Sequence, residues 1–273
     1  MSRAPRRVRA FDWRGAAEAL AATFPRDRLH PRVVEWSAGR TQAVKGPWGV
    51  AFSGGADSLA LLLLVWAHWP ERRARLRALH FNHGLRGLAS AGDERFCRSV
   101  CRALNVPFFS DRWRRTKKEK TPSEAQARAA RFSFFADVLA SEGVGALWTG
   151  HHRDDVAESM LMRLARGSGI DGLIAPRPLQ ASGFPWSHVR PLLTLSRTEL
   201  RDALARCGVS WREDKSNFEA VFFRNRIRNE VMPVWINAAQ GRDAVAGAAL
   251  SRELLEEDAE ALDSWLDELR PLR

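Results

Sequence analysis

Cysteine is scarce in this chain: three in 273 residues, an odd number with no C-x-x-C pair. That argues against a disulfide framework or a zinc knuckle. Cys97 and Cys101 lie four apart in a stretch that reads as helix and are assigned to packing. Long apolar runs are missing too. None approaches the roughly 20 residues that a membrane-spanning helix needs, so no membrane contact is expected. Residues 1–11 are rich in arginine and lack acids, yet no secretory apolar core follows. The expected location is the cytoplasm. Acidic side chains are also in deficit: 32 Asp and Glu stand against 43 Lys and Arg, a formal net charge of +11. That surplus points to a polyanionic partner, nucleic acid first. A GC-rich genome also yields arginine, so charge alone selects nothing. With 45% apolar residues, the chain can build one substantial domain and a small second one.

Residues 46–64, GPWGVAFSGGADSLALLLL, organise the rest. A short apolar run ends abruptly at Ser53-Gly54-Gly55, and after Ser58 comes an apolar stretch long enough to start a helix. Strand, glycine turn and helix in that order present unpaired N–H groups, backed by the helix dipole, to an anion. Adjacent glycines let a ligand approach closely. Ser53 and Ser58 add hydroxyls on either side. The lysine and Ser/Thr of a Walker loop are absent, because Ala56-Asp57-Ser58 follows the glycines. An aspartate in a phosphate cradle makes sense if a divalent cation lies between them, which makes Asp57 a metal-ligand candidate. The alternative is an ordinary turn in which Asp57 or Ser58 caps the helix. From the residues alone, both readings stand.

Further along, residues 76–82 read as a strand, 91–104 as a helix, 106–109 as a strand, 121–142 as a helix, 146–149 as a strand and 154–164 as a helix. Strands alternating with helices imply a parallel sheet with right-handed crossovers, with ligands at the carboxyl ends of its strands. SGGADS, HFNHGLR and GHHRDD all fall at that edge. In GHHRDDVAES, Asp154 and Asp155 occupy the first helical turn, where carboxylates can hold Mg²⁺ or simply complement the dipole. Zinc at the paired histidines is discounted for want of a third soft ligand. RGSGIDG, residues 166–172, spells G-x-G-x-x-G but follows a helix, so it reads as a C-cap and basic loop. Residues 112–120, RWRRTKKEK, read as a phosphate-contacting loop whose tryptophan can stack on a base. Arginines in RNRIR, residues 224–228, oppose a helix dipole, so either a bound anion or acids such as Glu230 must offset them. A last helix, residues 246–269, carries Leu255, Leu262, Leu266 and Leu269 as an apolar stripe beside Trp265.

The ordered set SGGADS, HGLR, EAQAR, HHRDDVAES, RGSGIDGL, RPLL, EDKSN and RNRIR resembles the tRNA(Ile)-lysidine synthase family of the PP-loop, or N-type ATP pyrophosphatase, superfamily over about residues 50–228. The resemblance implies an α/β, Rossmann-like parallel-sheet domain of the adenine nucleotide alpha hydrolase type over residues 46–230. A basic extension (1–45) would precede it, and a small helical module (231–273) would follow. It implies that ATP adenylates O2 of the wobble cytidine of an isoleucine tRNA with a CAU anticodon. Free L-lysine then displaces AMP to give lysidine. By similarity, Ser53, Gly54, Gly55, Ala56, Asp57 and Ser58 bind ATP. Asp57 and Asp155 hold Mg²⁺ and handle the lysine ammonium, with Asp154 a further catalytic candidate. Arg86, Arg128, Arg166, Arg224 and Arg228 contact tRNA or phosphate. Asn82 stands where many relatives have Asp, and Val156 and Ser159 replace a usual Gln and Thr. A tRNA thiolase and a catalytically inactive RNA-binding protein are the competing readings, and whether the chain forms a homodimer is left open.

Overall fold

The structure, a computed structural model, describes residues 11–82, 88–113, 124–181, 186–213 and 223–269. Three short helices, α1 (Trp13–Thr23), α2 (Pro31–Ser37) and α3 (Gln42–Lys45), lead into β1 (Trp48–Ala51) and α4 (Ala56–His68). The chain then runs through β2 (Leu76–Asn82), α5 (Leu88–Leu104), β3 (Phe108–Arg112), α6 (Glu124–Ser141) and β4 (Ala146–Trp148). Next come α7 (Arg153–Leu164), α8 (Ile170–Leu173), β5 (Leu179–Ala181), β6 (Ser187–Val189) and α9 (Arg197–Arg206). α10 (Phe223–Arg226) passes through a π-helical turn, Ile227–Val231, into α11 (Met232–Ala238), and α12 (Ala244–Leu269) follows.

The six strands lie in the order β3-β2-β1-β4-β6-β5. Every neighbouring pair is parallel except β5 with β6. That antiparallel edge departs from the all-parallel expectation. Strands of three residues are too short to leave a period in the sequence. β3 also begins two residues later than the apolar run suggested. The chain starts at β1, winds outward to β3, then returns to β4 on β1's other side. The strand order therefore reverses between β1 and β4, and a crevice opens there at the carboxyl ends.

α4 explains why the sheet has an interior. Leu59 through Leu64 are all at most 1% exposed, the signature of a helix apolar on every side and buried on every side. The sheet covers one flank, and α1 and α9 cover the other. Ala16, Ala17, Leu20, Phe24, Leu29, Val33 and Val44 join the same buried cluster as α4 and the strands. The stretch read as an N-terminal extension thus supplies part of the domain's core from residue 16 onward. Beneath the strands, Trp48, Trp69 and Trp148 are fully buried, with ring centroids 4.6 Å (Trp48–Trp148), 5.2 Å (Trp69–Trp148) and 5.8 Å (Trp48–Trp69) apart. Tilted and edge-on rings at such spacing add to the burial of their area.

α12 packs on α7 and α8, but not through the stripe its leucines suggest. Val245, Ala248, Arg252, Glu256 and Ala259 are its buried face, whereas Leu262, Trp265, Leu266 and Leu269 are exposed. Arg252, 0% exposed, donates to Glu256 at 2.6 Å and pairs with Glu253. A paired, buried arginine takes a place that composition assigns to leucine. Among the described residues, no helix is long and apolar enough to cross a membrane.

Trp148 touches all three other indoles of its cluster, including that of Trp36 at 6.1 Å. Trp148→Ala should lower unfolding free energy by about 3–5 kcal/mol. Chemical denaturation measures this, and a loss below about 1 kcal/mol would show that the cluster collapses around the cavity.

Candidate functional site

The loop after β1 is built by its own hydroxyls. Ser58 Oγ receives the Ser53 N–H at 3.2 Å and donates to the Gly55 carbonyl at 3.0 Å, while Gly55 N–H points to Ser53 Oγ at 3.3 Å. Gly54 has φ +89°, and a Cβ there would sit 2.9 Å from Cys97 Sγ, so only glycine fits. Gly55 is the N-cap of α4 and offers no side-chain cap, so the first-turn N–H groups of Ala56 and its neighbours remain available to an anion.

The loop after β4 meets this one directly. A Cβ at Gly150 would come within 2.8 Å of the Asp57 carbonyl oxygen and 3.1 Å of Ser58 N. With no side chain between them, the two backbones touch and His152 is brought to Asp57. His152 is 1% exposed. Its Nε2 lies 3.6 Å from Asp57 Oδ2 and 3.4 Å from Asp155 Oδ2, and its Nδ1 lies 3.4 Å from Asp154 Oδ2. Burial opposes charge on this ring, but Asp155, Asp154 and Asp57 outweigh it and raise its pKa to about 10. Asp57 Oδ1 is buried with no hydrogen-bond partner among the described residues.

Behind this junction lies an ionic cage. Asp155 Oδ2 accepts the His152 N–H at 3.0 Å, and Oδ1 accepts from Arg224 at 2.7 Å. Burial would raise its pKa, but His152 and Arg224 hold it well below the usual carboxylate range. Glu158, 1% exposed, takes Arg197 at 2.9 Å, Arg224 at 3.0 Å and Arg228 at 2.6 and 2.9 Å. Asp154 accepts the Arg197 N–H at 2.8 Å. Its pKa, which burial alone would raise, falls to about 2 through His152 and Arg197.

The structure therefore joins Ser53, Gly54, Gly55, Ala56, Asp57 and Ser58 to Asp154, Asp155, Arg224 and Arg228 in one crevice. Asp155 and Glu158, not Glu230, offset the helix-opening arginines. Arg128 and Arg166 are exposed and stack on Phe132 and Phe223, with 4.9 and 5.5 Å from guanidinium to ring centre. Arg86 and residues 114–120 of the basic loop lie outside the described residues. Arg112 ends β3, and the Trp113 N–H bonds the Asn82 carbonyl at 2.9 Å, so that loop leaves from the same sheet edge. Sequence reasoning missed His152 and Arg197 as site members, and it took Glu158, one helical turn from Asp154, as a carboxylate for Mg²⁺, whereas the structure pairs it with three arginines. The helical spacing of Asp154, Asp155 and Glu158 was the available signal.

An Mg²⁺ ion fits this donor set, because it favours one or two carboxylates plus phosphate oxygens. Asp57 Oδ1 is the oxygen that lacks a partner. Among the described residues, no group of three His, Cys, Asp or Glu side chains is arranged to hold a metal by protein alone.

Comparison with known proteins identifies the family. A family model described as the PP-loop domain matches residues 33–235. The tRNA(Ile)-lysidine synthase of Geobacter sulfurreducens is 42% identical over 223 residues, 80% of this chain and 46% of that protein. Its counterpart in Pseudomonas syringae pv. tomato is 40% identical over 238 residues, 84% of this chain and 50% of that protein. The chain thus spans about half the length of these curated relatives. Among solved structures, the U34-tRNA thiolase NcsA of Methanococcus maripaludis superposes with a TM-score of 0.63 at 17% identity, covering 89% of this chain and 78% of that one. At that identity the likeness concerns the fold.

Glu158→Ala should cost about 3–5 kcal/mol of stability, because it leaves three half-buried arginines without the buried carboxylate they share. Denaturant titration that finds less than about 1 kcal/mol would show the cage to be redundant. The pKa of His151, hydrogen-bonded to Thr149 Oγ1 at 3.0 Å, is lowered to about 3 by burial and by nearby Arg190, Arg224 and His152, against the pull of Asp155. The unfolded chain takes this proton first, so stability should fall as pH drops from about 6.5 towards 3. His151→Asn should flatten part of that slope in melting curves recorded across the range.

Proposed function

The chain belongs to the PP-loop family, and from that premise we propose that it forms lysidine on an isoleucine tRNA with a CAU anticodon. O2 of the wobble cytidine attacks the α-phosphorus of ATP, the bond to the β-phosphate breaks, and pyrophosphate leaves. The amine of free L-lysine then attacks C2, and AMP leaves with O2. Cytidine O2 is a poor leaving group until adenylated, so the nucleotide must be held in line with the base.

The observation that carries the reading is the junction at the β1–β4 crevice. There Gly150 lets the glycine loop and the HHRDD turn share one space, in a chain about 40% identical, over most of its length, to proteins named tRNA(Ile)-lysidine synthase. The loop N–H groups and the Ser53 and Ser58 hydroxyls would receive the triphosphate. Asp57, with Asp155 beside it, would hold Mg²⁺, which neutralises phosphate charge as pyrophosphate departs. Asp155 stays ionised beside Arg224 and His152, and this anion would attract the lysine ammonium. Asp154 orients His152 and the start of α9. Glu158 keeps Arg224 and Arg228 extended towards the crevice. Exposed Arg128 and Arg166 would meet tRNA phosphates. A tRNA substrate of this kind places the work in the cytoplasm.

The thiolase reading draws on the fold likeness alone. Cys97 and Cys101 are buried, and burial pushes both thiols up, Cys101 to about 12. Such thiols are poor sulfur carriers.

Unmodified tRNA(Ile) incubated with Mg-ATP and labelled lysine should yield labelled tRNA and AMP. Transfer from a sulfur donor would support the thiolase, and binding without turnover would overturn both readings. Asp57→Ala should abolish AMP formation while tRNA binding persists, and retained AMP formation would refute its metal role. Neutralising Arg112, Arg114 and Arg115 should weaken tRNA binding and make it less sensitive to salt, with the log–log slope falling by about one for each phosphate left without its arginine. An unchanged slope would make that loop plain solvated surface.

A further inference from the structure

The segment Trp211-Arg212-Glu213, which follows α9, enters the site without a part in the chemistry above. Its backbone lies against the glycine loop, where the Arg212 N–H donates to the Gly54 carbonyl at 2.9 Å. Its side chain turns to α5, where Arg212 Nε donates to Asp93 Oδ1 at 2.6 Å. Asp93 is 7% exposed, whereas the arginine side chain is 46% exposed. Gly92 clears room for the guanidinium, since a Cβ there would stand 3.3 Å from Arg212 Nη2. α5 is also the helix that brings Cys97 against Gly54. The glycine loop is therefore gripped by two distant stretches of chain that are joined to each other through one ion pair.

We propose that Arg212 and Asp93 form a clip that holds the Gly54–Gly55 peptide in the orientation that receives a nucleotide phosphate. The proposal rests on the nucleotide-binding reading of that loop. The physical reason is the planarity of the peptide unit. The Gly54 carbonyl and the Gly55 N–H belong to the same plane and point in opposite directions, so anchoring the oxygen aims the hydrogen. Two adjacent glycines have the largest conformational freedom in any chain, and Gly54 already sits at φ +89°. Ser53 Oγ, at 3.3 Å, is a loose local restraint on Gly55. The Arg212 N–H supplies an outside one, and the bond to a buried carboxylate keeps that backbone in place. Arg212 is thus a positioning residue. Its Nε is turned to Asp93, not to the loop.

The test compares Arg212→Ala, Asp93→Ala and the double variant in the full chain. One readout is amide hydrogen exchange across residues 53–55 and 211–213 without nucleotide. The other is the kcat and KM for ATP in lysine transfer to tRNA(Ile), with Mg-ATP affinity measured by calorimetry. Each single variant should speed exchange in both segments and raise the KM for ATP about tenfold, the range seen when outer-shell support is removed. kcat and tRNA affinity should change little. The double variant should be no worse than the poorer single, since both remove one interaction. Unchanged exchange, or an unchanged KM in Asp93→Ala, overturns the clip. Losses that multiply in the double variant also overturn it, by making Arg212 a direct phosphate ligand. If Asp93→Ala does not fold, Asp93→Asn takes its place, keeping the volume and losing the charge. If exchange speeds up as expected but the wild-type protein fails to bind Mg-ATP, the nucleotide reading fails and the clip survives.

Discussion

Two strand ends can share one crevice only where nothing separates their backbones, and at Gly150 nothing does. A methyl group at that position would lie 2.8 Å from the Asp57 carbonyl oxygen, well inside contact distance. Moving the β4 end outward to make room would carry His152 and Asp155 away from Asp57. The sheet makes this meeting possible, because β1 and β4 are hydrogen-bonded neighbours in parallel register, Val50 beside Trp148. Trp48 of β1 and Trp148 of β4 pack their rings 4.6 Å apart and tie the two strands together. Packing, register and one missing side chain thus act in sequence to set the distance between two loops whose residues lie almost a hundred positions apart.

Once the loops meet, electrostatics decides what they can hold. Asp57, Asp154, Asp155 and Glu158 face His152, Arg197, Arg224 and Arg228 in a largely dry space. Charges in such a place are costly unless they are paired and hydrogen-bonded. Each one here has partners, and Glu158 alone serves three arginines. The cage therefore directs little of its positive charge to attraction at long range. It keeps the arginines straight and ionised. Asp57 Oδ1, left without a hydrogen bond among the described residues, is where an added cation changes the balance most.

Local grammar made the glycine loop and the HHRDD helix legible in the sequence, because strand, turn and helix are spelled by consecutive residues. The bonds that complete the site are not consecutive. Arg224 reaches Glu158 across 66 positions, and Arg212 reaches Asp93 across 119. No window of sequence contains such pairs. α12 misled for a different reason. Its buried face carries Arg252 and Glu256, whose charges cancel against each other, while Leu262, Leu266 and Leu269 point to solvent. A rule that sends leucine inward and arginine outward fails wherever charges are buried as pairs. Before β1, residues 13–24 read as an amphipathic helix and form α1, whereas residues 25–40 show no clear period although they hold α2 with Val33 completely buried.

The net charge of +11 is a poor guide to the crevice itself, where acids and bases match. Attraction of a polyanion must come from cations without such acidic partners close by. Among the described residues, Arg128 and Arg166 have this character. Each is exposed and stacked on a phenylalanine, a geometry that leaves guanidinium N–H groups at the edge for phosphate. A division between the arginines follows from their pairing. The half-buried arginines around Glu158 are already neutralised and add little to the attraction of a distant anion. Under the proposed function, the exposed pair would be the groups that meet nucleic-acid phosphate.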